Sequence, residues 1–151
     1  MTKTLENLTL AEAIAALRAA VEVRGANFVY PEEEKFTPTL MDGTVDPNQV
    51  SICMYTRGGE GEAEGKLVGS CVVGVALIDV LGVDPERLAG LQASADVALE
   101  HLGITEHKVI TRVYLRAQGN QDAGIEWGAA VEDALEHYAD DIATALAAEA
   151  R

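Results

Sequence analysis

Ser70-Cys71-Val72-Val73-Gly74-Val75-Ala76-Leu77-Ile78-Asp79-Val80-Leu81-Gly82 is the stretch on which the fold turns. It holds one charge, Asp79, and no Pro, with apolar residues on every side and Gly at its end, which is the pattern of a helix buried on all faces. Four valines make a β-strand the rival reading. Length decides between them, because strands usually run about 4 to 8 residues and this run is longer, with Ser at one end and Gly at the other. A central helix is expected. Gly74 inside it costs about 1 kcal/mol against Ala, so another backbone, that of a strand pair, is expected to press close at this point.

Upstream, Thr9-Leu10-Ala11-Glu12 has the form of a capping box, in which hydroxyl and carboxylate satisfy the unpaired amides of a helix start. Ile14, Leu17 and Val21 follow at helical spacing and Gly25 supplies the stop, which sets helix 1 at about residues 10–24. Ala26 to Tyr30 and Gln49 to Thr56 are β-prone runs expected to pair antiparallel. Between them, residues 31–48 carry Pro38, Asp42-Gly43 and Asp46-Pro47 turn signals and read as a long loop. Residues 57–66 form a Gly/Glu tract that reads as a second flexible loop. Gly65-Lys66 there does not make a phosphate loop, since Glu60 stands where the first Gly belongs and Leu67 where a Ser or Thr would hold magnesium.

Downstream, Asp84-Pro85 is an N-cap followed by Pro at the first helical position, and Leu88, Leu91, Ala95, Ala98 and Leu102 share a face up to Gly103, with an interruption near Ala93-Ser94. Thr105 is expected to cap helix 4, whose buried stripe is Val109, Ile110, Val113, Tyr114 and Ala117. A loop from Gly119 to Ile125 precedes helix 5, residues 126–149, where Trp127, Val131, Ala134, Leu135, Tyr138, Ile142 and Leu146 recur at three- and four-residue steps. Such a seam packs in the core or, as a homo-oligomer, against a second copy of the chain.

The chain of 151 residues is one domain's worth and needs no disulfide or metal to bury about 70% of its unfolded surface. Its 48% hydrophobic and 24% charged residues are those of an ordinary globular protein. No apolar run approaches the roughly 20 residues of a membrane span, and no export signal opens the sequence. Cys53 and Cys71 form no C-x-x-C pair and sit in apolar surroundings, which fits a reducing cytoplasm. Net charge is −14, and residues 1–30 are neutral, so the whole excess lies beyond them. That balance opposes direct binding to nucleic acid or an anionic membrane, both of which require clustered cations. It serves solubility, or meets a basic partner.

Two constellations could carry chemistry. Lys108, Arg112 and Arg116 recur every four residues and make a cationic row that either clamps an anion or pairs with Glu132, Asp133, Glu136 and Asp140 of helix 5. Gln118, Gln121, Asp122 and Trp127 surround the following turn, where amides, a carboxylate and an aromatic ring either recognise a polar planar ligand or tie the turn. These seven residues, Lys108 to Trp127, are the candidate ligand site. His101, His107 and His137 lack metal-ligand spacing, so neither metal nor cofactor is expected. Asp133 and Glu136 are half of what a magnesium-dependent nucleotide pyrophosphohydrolase needs, and Cys71 has no His nearby in sequence to activate it, so no catalytic set is expected.

Ser70-Cys71-Val72-Val73-Gly74 with Leu77 and Leu81-Gly82-Val83, together with Ala117-Gln118-Gly119-Asn120-Gln121-Asp122-Ala123-Gly124-Ile125-Glu126-Trp127-Gly128-Ala129-Ala130-Val131, resembles a pattern in small uncharacterised proteins of actinobacteria and their phages. The resemblance implies a bacterial or phage setting in the cytoplasm and carries no active site. Residues 32–47 depart from the shorter link of that pattern. Taken together, the expectation is a mostly helical single α+β domain with a small antiparallel β element. Functionally it is a non-enzymatic interaction or regulatory protein acting on a host protein. The alternatives are a small-ligand, nucleotide-like binder or hydrolase, and a virion component.

Overall fold

Helix formation starts where the capping box puts it. Thr9 Oγ1 accepts the Glu12 amide at 3.1 Å and Glu12 Oε1 accepts the Thr9 amide at 3.2 Å, and α1 runs Leu10–Arg24 before Gly25, at φ 103°, turns the chain. The structure is a computed structural model that describes residues 5–31, 34, 42, 54–91, 93–105 and 107–150. The long loop expected over 31–48 lies almost entirely outside the described residues, as do residues 49–53 of the second β-prone run.

The antiparallel pair is not the one expected. Strand β1, Thr56–Gly58, pairs with β2, Leu67–Gly69, through Thr56 opposite Gly69 and Gly58 opposite Leu67. The Gly/Glu tract is therefore the tip of a hairpin, closed by a 3₁₀ turn at Gly61–Ala63, with Gly61 and Gly65 at positive φ. Ala26 to Tyr30 is not a strand. Its carbonyls instead meet the unpaired amides that begin a later helix: Phe28 O accepts Trp127 N at 2.9 Å and Ala26 O accepts Gly128 N at 2.8 Å.

The central helix α2 begins as Val72–Gly74 and continues as a π-helical turn over Val75–Val80. Every residue from Cys71 to Ile78 is buried, and Gly82 at φ 78° ends the element. Gly74 meets backbone: a Cβ there would overlap the Tyr55 carbonyl, and one on Gly69 would lie 2.5 Å from Val75 Cα. The hairpin thus crosses α2 at two glycines, through β2 and the residue that leads into β1. Asp79, the one charge of the stretch, faces out and accepts the Gly69 amide at 3.1 Å, which fastens the strand end to the helix.

Asp84 caps a single 3₁₀ turn, Pro85–Arg87, and the expected interruption is real, for α3 proper is Ala95–His101. Helix α4 is Lys108–Asp122, so its start falls at His107 rather than Thr105 and its end absorbs most of the turn expected at Gly119 to Ile125. The long fifth helix divides at Tyr138 into α5, Trp127–His137, and α6, Ala139–Glu149. Its seam packs inward: Trp127, Val131, Ala134, Leu135 and Ile142 belong to the core, and Tyr138 and Leu146 lean on it. Glu149 Oε1 accepts the Leu10 amide at 2.6 Å and lies 3.3 Å from His107 Nε2, so the end of α6 covers the start of α1. Burial pushes the Glu149 carboxyl up, but the Leu10 amide and His107 outweigh it and hold it below the usual carboxylate value. The result is a mostly helical α+β domain, with α2 enclosed by α1, α4 and the hairpin.

Candidate functional site

The cationic row of α4 is split among separate partners. Arg116 Nε sits 2.8 Å from Asp133 Oδ2, which also accepts Asn120 Nδ2 at 2.7 Å, and these bonds hold Asp133 below the usual carboxylate range. Arg112 reaches Asp141 only at 3.8 Å, with both side chains about half exposed. Glu132 pairs instead with Arg18 of α1 at 3.5 Å. Lys108 has no ion pair among the described residues. It lines, with Asp96, Glu100, Thr105, Thr111 and Arg112, a groove of about 380 Å³ between α3 and α4.

The turn residues face the core. Gln121 is fully buried: its Oε1 accepts the Val72 amide at 2.7 Å, at the start of α2, while its Nε2 donates to Asp122 Oδ1 at 3.0 Å. Gln118 accepts the Ala95 amide at 2.7 Å, at the start of α3, and donates to the Tyr55 hydroxyl at 2.9 Å, which in turn donates to Ala93 O at 2.6 Å. Two neutral side chains from α4 thereby satisfy the first amides of two other helices. Trp127 is fully buried, edge-on to Phe28 with ring centroids 4.9 Å apart. Cys71 is also engaged, its Sγ accepting the Gly74 amide at 3.3 Å as the cap of α2. Of the seven candidates, then, Lys108 and Arg112 share a groove, Arg116 points at α5, Gln118, Gln121 and Trp127 are structural, and Asp122 accepts from Gln121 at the end of α4. Among the described residues no three His, Cys, Asp or Glu are grouped to hold a metal.

A second polar cluster, absent from the sequence reading, lies where α1 ends beside the start of α2. Arg24 is its hub. The guanidinium donates through Nη1 and Nη2 to Glu34 Oε1 and Oε2 at 2.9 and 2.8 Å, a two-pronged pair, and Nη1 also donates to Ser70 O at 2.9 Å. Its Cζ lies over the Phe28 ring, 4.0 Å from the centroid, and 5.8 Å from that of Trp127. Ser70 Oγ donates to Glu34 Oε1 at 3.0 Å and stands 2.6 Å from the Tyr30 hydroxyl, which accepts the Met54 amide at 3.2 Å. Arg57 Nε approaches Glu34 Oε1 at 3.6 Å, buried and without a hydrogen-bond partner among the described residues. Burial pushes the Glu34 carboxyl up, but Arg24, Ser70 and Arg57 outweigh it and hold it below 4.5.

No protein-family model, curated protein or solved structure matches the chain.

A third feature is the groove of about 510 Å³ between α1 and α5, lined by Arg18, Ala19, Val21, Glu22, Ala26 and Val131 among others, with Glu132 on its rim. Its floor is small and apolar, formed by Ala19, Val21, Val131 and Gly128, whose missing Cβ lets Ala26 approach. On α1, Arg18 and Ala19 stand four and three residues before Glu22, and that spacing was the signal available in the sequence.

Proposed function

We propose that the protein is a non-enzymatic interaction protein of a bacterium or its phage, working in the cytoplasm by engaging a basic segment of a host protein. One observation carries this reading. Residues 126–150, the two helices α5 and α6, hold seven carboxylates and neither Lys nor Arg, and the α1–α5 groove beside them joins an apolar floor to a rim bearing Glu22 and Glu132. A basic amphipathic segment would find both an apolar seat and opposite charge there, the latter raising its association rate. The test is retention of proteins from an actinobacterial lysate on the immobilised chain, compared with a Glu22→Lys, Glu132→Lys variant. A specific partner released by salt and lost on the variant supports the reading; identical capture by both chains counts against it.

The α3–α4 groove favours a second reading, a binder of a small zwitterionic or nucleotide-like ligand, because Lys108 and Arg112 face Asp96 and Glu100 across one opening. A thermal-shift screen against nucleotides and common metabolites tests it. Ligand at a hundred times its dissociation constant stabilises the native state by about 2.7 kcal/mol, and Lys108→Ala with Arg112→Ala should abolish that shift.

A further inference from the structure

The Arg24 cluster is organised around a negative charge, yet the arginine does not depend on that charge for its position. Its Cζ rests over the Phe28 ring and its Nη1 donates to the Ser70 carbonyl, two contacts that do not involve Glu34. Ser70 Oγ stands beside it, 2.6 Å from the Tyr30 hydroxyl, which accepts the Met54 amide and donates to the Glu34 backbone carbonyl. Glu34 supplies only two oxygens. Oε2 accepts from Arg24 and Oε1 from Arg24 and Ser70, while Arg57 Nε, ion-paired with Oε1 at 3.6 Å, lies beyond hydrogen-bond reach and has no hydrogen-bond partner among the described residues.

We infer that Arg24, Arg57 and Ser70, with Tyr30 alongside, form a binding site for a small tetrahedral oxyanion, a phosphate or sulfate group, which the chain's own Glu34 carboxylate occupies in this structure. A tetrahedral group offers a third and fourth oxygen, enough to give Arg57 the acceptor that a carboxylate does not. Arginine is suited to this role because its planar fork matches phosphate oxygens in pairs. With Glu34 displaced, the two guanidinium groups leave a local charge of +2 in an otherwise acidic protein. The repulsion of the distant carboxylates is screened over about 8 Å at physiological salt. The cluster is partly open, Arg24 and Glu34 being 14% and 18% exposed and Arg57 31%, so a ligand's remaining atoms would leave toward solvent on the Arg57 side.

Because Glu34 competes with the ligand, removing it should strengthen binding. Inorganic phosphate is the probe, titrated into wild type, Glu34→Ala and Glu34→Gln by calorimetry and thermal shift, with sodium chloride at matched ionic strength as control and acetate and sulfate as comparison anions. We expect both variants to bind phosphate at least tenfold more tightly than wild type, with sulfate similar and acetate weaker, and Arg57→Gln in the Glu34→Gln background to remove the preference for phosphate over acetate. The Gln variant preserves the shape of the side chain and is read if Glu34→Ala does not fold. Phosphate affecting wild type and the folded variant alike, or no more than chloride does, would overturn the site and leave Glu34 a structural ion pair.

Discussion

Two polar assemblies meet the start of α2 from different sides, and they are built differently. From α4 come Gln118 and Gln121, neutral, buried, each amide oxygen committed to a backbone N–H of another helix. From the end of α1 comes Arg24, charged and partly open, paired with a carboxylate that reaches it from a connecting segment ten residues away. The first assembly replaces hydrogen bonds that the backbone would otherwise lack in a dry interior, so nothing can exchange with it without unfolding. The second holds an anion that water can reach and another anion can replace. Burial and charge together, more than residue type, separate a structural polar group from one available to a ligand.

Substitutions should separate the two assemblies in order of size. The largest effect is expected at Gly74, against which the hairpin backbone lies: Gly74→Leu overpacks the crossing and should cost about 3 kcal/mol or more in urea unfolding, with lesser loss for Ala. An unchanged midpoint would mean that α2 and the hairpin do not touch. Next, Gln121→Leu keeps the volume but strands the Val72 amide in the core, and a loss of about 1–3 kcal/mol is expected, independent of salt and of pH between 3 and 8. Glu34→Gln should cost less, about 1–2 kcal/mol, and its cost should vary with both conditions. Because the folded-state value of Glu34 is depressed, its stabilisation is complete above the unfolded value of about 4.5 and is lost as pH falls through the folded one, so wild type and variant should converge in acid. A difference that stayed flat with pH would place Glu34 with the glutamines. The smallest effect belongs to Arg116→Gln, an exposed pair with Asp133, expected to leave the urea midpoint almost unchanged and to fade in salt.

What could be read in advance was local. The Thr9–Glu12 box, Gly25, the buried run from Cys71 and the break before α3 are all settled within a few residues of where they occur. The pairing of the hairpin was not legible, because its strands are three residues long and flank a tract poor in β-formers; the nearby helix, through Gly69, Gly74 and Asp79, selects them. Conversely, Ala26 to Tyr30 has strand composition but its carbonyls are drawn to α5. For the site, a usable signal was overlooked: Tyr114, Gln118 and Gln121 lie on the same helical stripe as Ile110 and Ala117, so the two amides had to be buried and therefore bonded. The Arg24 cluster gave no such signal. Glu34 reads as one of three glutamates in a solvated run, and Ser70 stands 46 residues from the arginine whose position its carbonyl fixes.

The contact between Glu149 and Leu10 also bears on when the protein can fold. The helix formed first is fastened at its opening amide by a side chain 139 positions later. At about 5–20 residues per second, synthesis takes roughly 7 to 28 s to cover that distance, far longer than the microseconds in which α1 can form and melt. During that interval the Leu10 amide lacks its Glu149 acceptor, and Leu10, Ala13 and Leu17, all buried in the folded domain, lack the cover that α6 adds. The cap of the first long helix is thus completed late in the chain, by its final described helix.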